Sequence, residues 1–91
     1  MTRYILIDSN SGYVWGDETA DSPVGAARLV DEGVGEYGRS YTEEYSRPSE
    51  SHYIVYEAAD DTPEITNGQD DTQIAIVDAL PIVARVVYSN E

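Results

Sequence analysis

An α+β fold is predicted for this chain: a small antiparallel sheet of four to six strands packed by one main helix, in a ββαβββ-like order. Three observations carry it. Residues 4–8, Tyr-Ile-Leu-Ile-Asp, are aromatic and β-branched and run into the turn cluster Ser9-Asn10-Ser11-Gly12. Ser22-Pro23 then opens a segment whose apolar residues recur at intervals of three and four. Beyond residue 50 the apolar runs are short and are broken by Pro or Asn-Gly. A length of 91 residues fits one domain, residues 1–91, with one modest core.

Tyr4 to Asp8 reads as the first strand, and Tyr13-Val14-Trp15 resumes extended chain after the turn, giving a β-hairpin. Ser22 is a good helix N-cap, and Pro23 stands at the first helical position, where its missing N–H costs nothing. Ala26, Ala27, Val30 and Val34 form the apolar stripe, and Gly33 and Gly35 are expected to end the helix. Residues 37–46 read as a strand, with Tyr37, Tyr41 and Tyr45 on one face. His52 to Ala58 alternates as a central strand, Tyr53, Val55 and Glu57 facing one way and Ile54, Tyr56 and Ala58 the other.

Asp60 to Asp71 is a long polar connection, at the upper end of ordinary loop lengths, in which Asn67-Gly68 can close a hairpin if Glu64-Ile65-Thr66 is a short edge strand. Two short strands joined at Leu80-Pro81 are read from the next apolar run, about Gln73–Val77 and Ile82–Tyr88. The first of them also fits a helix from about Thr72 to Leu80, stopped by Pro81. The expected core is Ile5, Ile7, Val14, Ala27, Val30, Ile54, Tyr56, Ile76, Ile82, Ala84 and Val86.

Charge narrows function more than any motif does. Eighteen carboxylates stand against five arginines, a formal net charge of −13. Such a chain repels bare nucleic acid and anionic membrane surfaces. With no cysteine there are no disulfides, thiolate nucleophiles or cysteine-ligated metals. The opening apolar run is too short for a signal peptide and no stretch approaches a membrane span, so a cytoplasmic location is expected.

Motifs for catalysis fail on context. Gly33-Val34-Gly35-Glu36-Tyr37-Gly38 spells G-x-G-x-x-G, but it follows a helix instead of opening one, and Glu36 would stand in the phosphate cradle. Gly38-Arg39-Ser40-Tyr41 begins like a nucleophile elbow and lacks the closing glycine, and His52 is the only histidine. The Asp60–Asp71 loop offers oxygen ligands without EF-hand spacing, because aligning Gly68 puts Pro63 at the first ligand position. No enzyme activity and no cofactor are expected.

The feature left is acid interleaved with tyrosine. Residues 1–30 carry four acids and two arginines, whereas residues 31–60 carry eight acids and two arginines. Glu36, Tyr37, Tyr41, Glu43, Glu44, Tyr45, Glu50 and Glu57 are the candidate partner-binding residues. Outward acids two apart on a strand lie about 6.6 Å from one another, a spacing that can present a regular negative row to a basic groove. Tyrosine supplies contact area with a polar tip.

The opening Tyr4-Ile5-Leu6-Ile7-Asp8, the helix begun at Ser22-Pro23 and the acidic Tyr-Thr-Glu-Glu-Tyr at 41–45 make the chain resemble small phage or plasmid inhibitors, the anti-CRISPR proteins and other DNA mimics. That group shares no single fold, so the likeness assigns no residue a role. It implies a non-enzymatic protein, a monomer or homodimer, that blocks a basic, nucleic-acid-binding surface of a partner such as a nucleic-acid-processing complex. The alternative is a small accessory domain of a halophilic or GC-rich organism. Its acidity would then serve solubility, in keeping with the absence of lysine.

Overall fold

The structure is a computed structural model that describes residues 1–40 and 50–89, with residues 34–40 described by their backbone. Strand β1 (Thr2–Asp8) and strand β2 (Val14–Ala20) form the expected hairpin. Its turn is closed locally: the Asp8 carboxylate accepts from Asn10 N–H at 2.8 Å, and Gly12 adopts a positive φ of 75°. β2 runs further than its apolar start implies, because Gly16 to Ala20 stay in register opposite Thr2 to Leu6.

Helix α1 (Pro23–Ser40) begins as its sequence dictates, with Ser22 Oγ accepting from Gly25 N–H at 3.0 Å. It does not stop at Gly33 and Gly35. A helical glycine costs about 1 kcal/mol but ends a helix only by turning left-handed, and Gly33 has no positive φ. Residues 37–40, expected to open a strand, are therefore helical, and the remainder of that expected strand, 41–46, lies outside the described residues.

Strand β3 (Glu50–Glu57), helix α2 (Asp71–Asp78) and strand β4 (Ile82–Ser89) complete the chain. The sheet order is β2-β1-β3-β4 with every neighbouring pair antiparallel, so β3 is central, as its alternation implies. The fold is α+β, with two helices among the described residues instead of one.

The second helix takes the place of the strand expected over 73–77 and agrees with the alternative reading, a helix from about Thr72 to Leu80. Asp70 caps it, its side chain accepting from Thr72 N–H and Gln73 N–H at 2.9 and 3.1 Å. Ile74, Ile76, Val77 and Leu80 then pack onto the sheet at helical spacing. Both faces of the sheet are consequently covered. Tyr4, Leu6, Tyr53 and Val55 meet Ala26, Ala27 and Val30 of α1, while Ile5, Ile7, Val14 and Tyr56 meet Val77 of α2 and Ile65 of the preceding loop.

Two covered faces explain where the expected core was incomplete. Tyr4, Leu6, Tyr53 and Val55 are buried because a second layer exists to use the other face. Ile54, Ile76, Ala84 and Val86 are half-buried against the two cores. Ile82 is 48% exposed, since it starts an outer strand.

Candidate acidic surface

The long connection from Ala58 to Asp70 is held to the sheet at four points. Arg3 leaves β1 on the α2 side of the sheet and forks onto Asp17 of β2, with Nε to Oδ1 at 2.6 Å and Nη2 to Oδ2 at 2.5 Å. The same guanidinium donates to the carbonyls of Thr62 and Pro63, both at 2.7 Å. Asp17 also accepts from Ile65 N–H at 3.2 Å, and the Ile65 side chain is buried in the α2-side core. Gly68, at a φ of 140°, bridges Val14 through two backbone hydrogen bonds of 2.8 and 3.0 Å. Gln73 closes the loop onto α2, accepting from Thr66 N–H and donating to Thr66 Oγ1. Gly68 therefore serves the β2 edge, and residues 64–66 are not the edge strand that a hairpin at Asn67-Gly68 would need.

The Arg3–Asp17 pair is electrostatically tight. Its hydrogen bond to Asp17 raises the Arg3 pKa against the opposing effect of burial. Burial pushes the Asp17 carboxyl upward, but the Arg3 hydrogen bond, the Ile65 N–H and the Arg3 charge together hold it below its ordinary value. A sequence signal for this pair exists. A lone arginine in an apolar strand needs an acid diagonal to it on the neighbouring strand, and Asp17 is two residues from Thr19, the residue opposite Arg3.

What the clamp presents is negative. From residue 57 to residue 78 the chain holds Glu57, Asp60, Asp61, Glu64, Asp70, Asp71 and Asp78 and no basic residue. All seven are exposed. Among the described residues no three of the acids converge as a metal-ligand set, and no helix is long and apolar enough to cross a membrane.

The residues picked from the sequence fall differently. Glu57 is exposed at the end of β3, where the loop begins, on the α1 side of the sheet with Tyr53 and Val55. Glu50, at the other end of β3, is exposed beside His52, 3.1 Å from its Nε2. Seven residue steps separate the two glutamates, roughly 23 Å of extended strand, and alternation puts them on opposite faces. Glu36 and Tyr37 lie in the last turns of α1, and Tyr41, Glu43, Glu44 and Tyr45 lie outside the described residues.

Tyr53 and Tyr56 do not stand among the acids as contact residues. Both are buried, and they tie the layers together. Tyr53 donates to Asp31 of α1 at 2.9 Å, and Tyr56 lies 3.5 Å from Asp78 of α2. Burial, with Asp78 close by, raises the Tyr56 pKa.

No protein family, curated protein or solved structure matches this chain. Its own surface chemistry is what bears on function.

Proposed function

We propose that this chain is a non-enzymatic acidic binding protein that occupies a basic, nucleic-acid-binding surface of a partner protein, in the manner of anti-CRISPR or other DNA-mimic inhibitors. One observation carries the reading: the exposed acids Asp60, Asp61, Glu64 and Asp70 stand on a loop clamped through Arg3, Asp17, Ile65 and Gly68, within a stretch from 57 to 78 that holds no basic residue. Clustered carboxylates repel one another and cost stability. Fixing them in place adds to that cost while sparing the entropy that a flexible acidic tail would lose on binding. Asp78 adds to the argument, because it is an acid in the last turn of α2, where the helix dipole disfavours it.

The test is capture of partners from the source organism at about 0.15 M salt, where the screening length is about 8 Å. Wild-type chain should retain a basic protein that elutes as salt rises. Reversal of Asp60 and Asp61 to Lys should abolish capture with the fold intact. Equal capture by that variant and loss through Glu43→Arg with Glu44→Arg would move the surface to the 36–50 region. The lysine-free, acid-rich composition favours a second reading, an accessory domain adapted to salt. Stability that climbs into molar KCl with no basic protein captured would select it.

A further inference from the structure

The two edges of the sheet are treated in opposite ways. Beyond β2, Gly68 bridges Val14 and Ile65 N–H is held by Asp17, whereas a register shift is common to both outer ladders, near Ile7 in β1–β2 and near Val55 in β3–β4. That edge is blunted. β4 is the other outer strand, paired with β3 and, among the described residues, with nothing else. It is eight residues long, contains no proline or glycine, and carries one charge, Arg85. Residues 79–89 hold no carboxylate in a chain that has eighteen.

Its surface is apolar as well. Ile82, Val83 and Val87 are 48%, 40% and 57% exposed, and Val24 of α1, also exposed, lies beside this strand with its carbonyl 3.5 Å from Tyr88 Oη. On the α2 side, an open groove of about 210 Å³ runs between β3 and β4, with His52, Ile54, Arg85 and Val87 among its lining. A long apolar edge strand unpaired on its outer side among the described residues is a template for another strand.

We propose that β4 is a homodimer edge, on which β4 of a second copy pairs antiparallel and joins two four-stranded sheets into one of eight strands. The two-fold axis of such a pair is perpendicular to the sheet, so side chains facing α1 in one copy meet side chains facing α1 in the other. Centred on Val86, this register sets Ala84 opposite the second copy's Tyr88, small against large, and Arg85 opposite its Val87. The two Arg85 side chains are then diagonal neighbours about 7–8 Å apart instead of directly opposed. Charge selects the same approach. Two molecules of −13 repel each other, and β4 itself carries no carboxylate to oppose the strand of a second copy, although Asp31 and Glu32 of α1 lie close enough to act on Tyr88. The proposal is independent of the partner-binding reading, and its salt dependence has the opposite sign: screening strengthens the dimer and weakens capture of a basic protein.

Sedimentation velocity of the full chain, from about 5 to 500 µM and from about 0.05 to 1 M NaCl, tests it. A monomer–dimer equilibrium is expected, with a dissociation constant that falls about tenfold or more across that salt range. Val87→Lys opposes Arg85 of the second copy and should weaken the dimer about tenfold or more, whereas Val87→Glu opposes the same arginine with an acid and should retain it. Circular dichroism checks both variants, which alter an exposed position. A wild-type chain that stays monomeric at the highest concentration and salt overturns the proposal. So does a dimer that weakens with salt, or one that Val87→Lys leaves intact.

Discussion

Arg3 and Asp17 form a two-point ion pair between the first two strands, and the arginine spends its remaining donors on the carbonyls of Thr62 and Pro63. One side chain therefore joins the hairpin to a loop 59 and 60 residues further along. The loop's carbonyls point inward to that guanidinium while Asp60, Asp61 and Glu64 stay exposed. A cation beneath the acidic surface is what lets the segment hold one conformation against its own repulsion.

Arg3→Met keeps much of the stem and removes all four hydrogen bonds. The pair is only partly shielded, so the expected loss is about 2–3 kcal/mol rather than the larger cost of a fully buried break. The loop should respond more than the sheet does. Amide exchange at Glu64 to Thr66 should accelerate well before the β1 and β3 amides change, measured by hydrogen exchange with mass spectrometry. Uniform acceleration across sheet and loop would show that the arginine serves global stability and is no local clamp.

Asp17 gives this clamp a pH signature. Its folded pKa is depressed relative to the unfolded chain, where an aspartate titrates near pH 4. The contribution is thus fully present above about pH 4 and is lost as pH falls through the lower, folded value. Arg3, whose pKa is raised, stays charged throughout that window. Thermal melts of wild type and Asp17→Asn should differ most at neutral pH and converge as pH falls below about 4. Acidification also relieves the crowding of the other carboxylates, so the difference between the two proteins, not either melting temperature alone, is the readout. A gap that widens with acid would contradict the assignment.

Gly16 lets β2 pass close beneath Val30 of α1. A Cβ added there would come within 2.6 Å of Val30 Cγ2, and Val30 is itself buried. Gly16→Ala should therefore destabilise the fold by about 1–3 kcal/mol through overpacking. Val30→Ala alone leaves a cavity at the same place. The double substitution should recover part of the loss, giving a favourable coupling of about 0.5 kcal/mol or more in a double-mutant cycle read by urea denaturation. Strict additivity would mean that the contact does not limit the approach of helix and strand.

Local signals in the sequence found the elements they govern. The Ser22-Pro23 start, the Asn10–Gly12 turn, the alternation of β3 and the strand after Pro81 all rest on residues within a few positions of one another. Helix α2 was legible only as the alternative to a strand, because Ile74, Ile76 and Val77 suit either, and the decision came from Asp70 as cap and from a sheet face that needed cover. The charge excess was plain, but its placement required the fold. Arg3 clamps carbonyls far away in sequence, so a loop read as long and polar is fastened down. Tyr56, expected in the core, is buried there, and Tyr53 is buried with it; both are bolts between layers.

Asp78 separates the cost of the acidic surface from its use. It stands in the last turn of α2, where no basic residue offsets the helix dipole, and its nearest polar partner is the Tyr56 hydroxyl at 3.5 Å. Asp78→Asn removes the charge and keeps an oxygen that can accept from that hydroxyl. The gain expected at low ionic strength is about 0.3–1 kcal/mol, a rise of a few degrees in melting temperature for a chain of this size. It should fade with added salt, because the last-turn interaction is screened. If the acids are kept for a basic partner, the same variant should bind that partner more weakly while folding more stably, a trade between stability and function. Calorimetry and partner titration on one pair of proteins measure both effects. A stabilised variant that binds equally well would place Asp78 outside the contact surface and leave the other exposed acids between 57 and 71 to carry it.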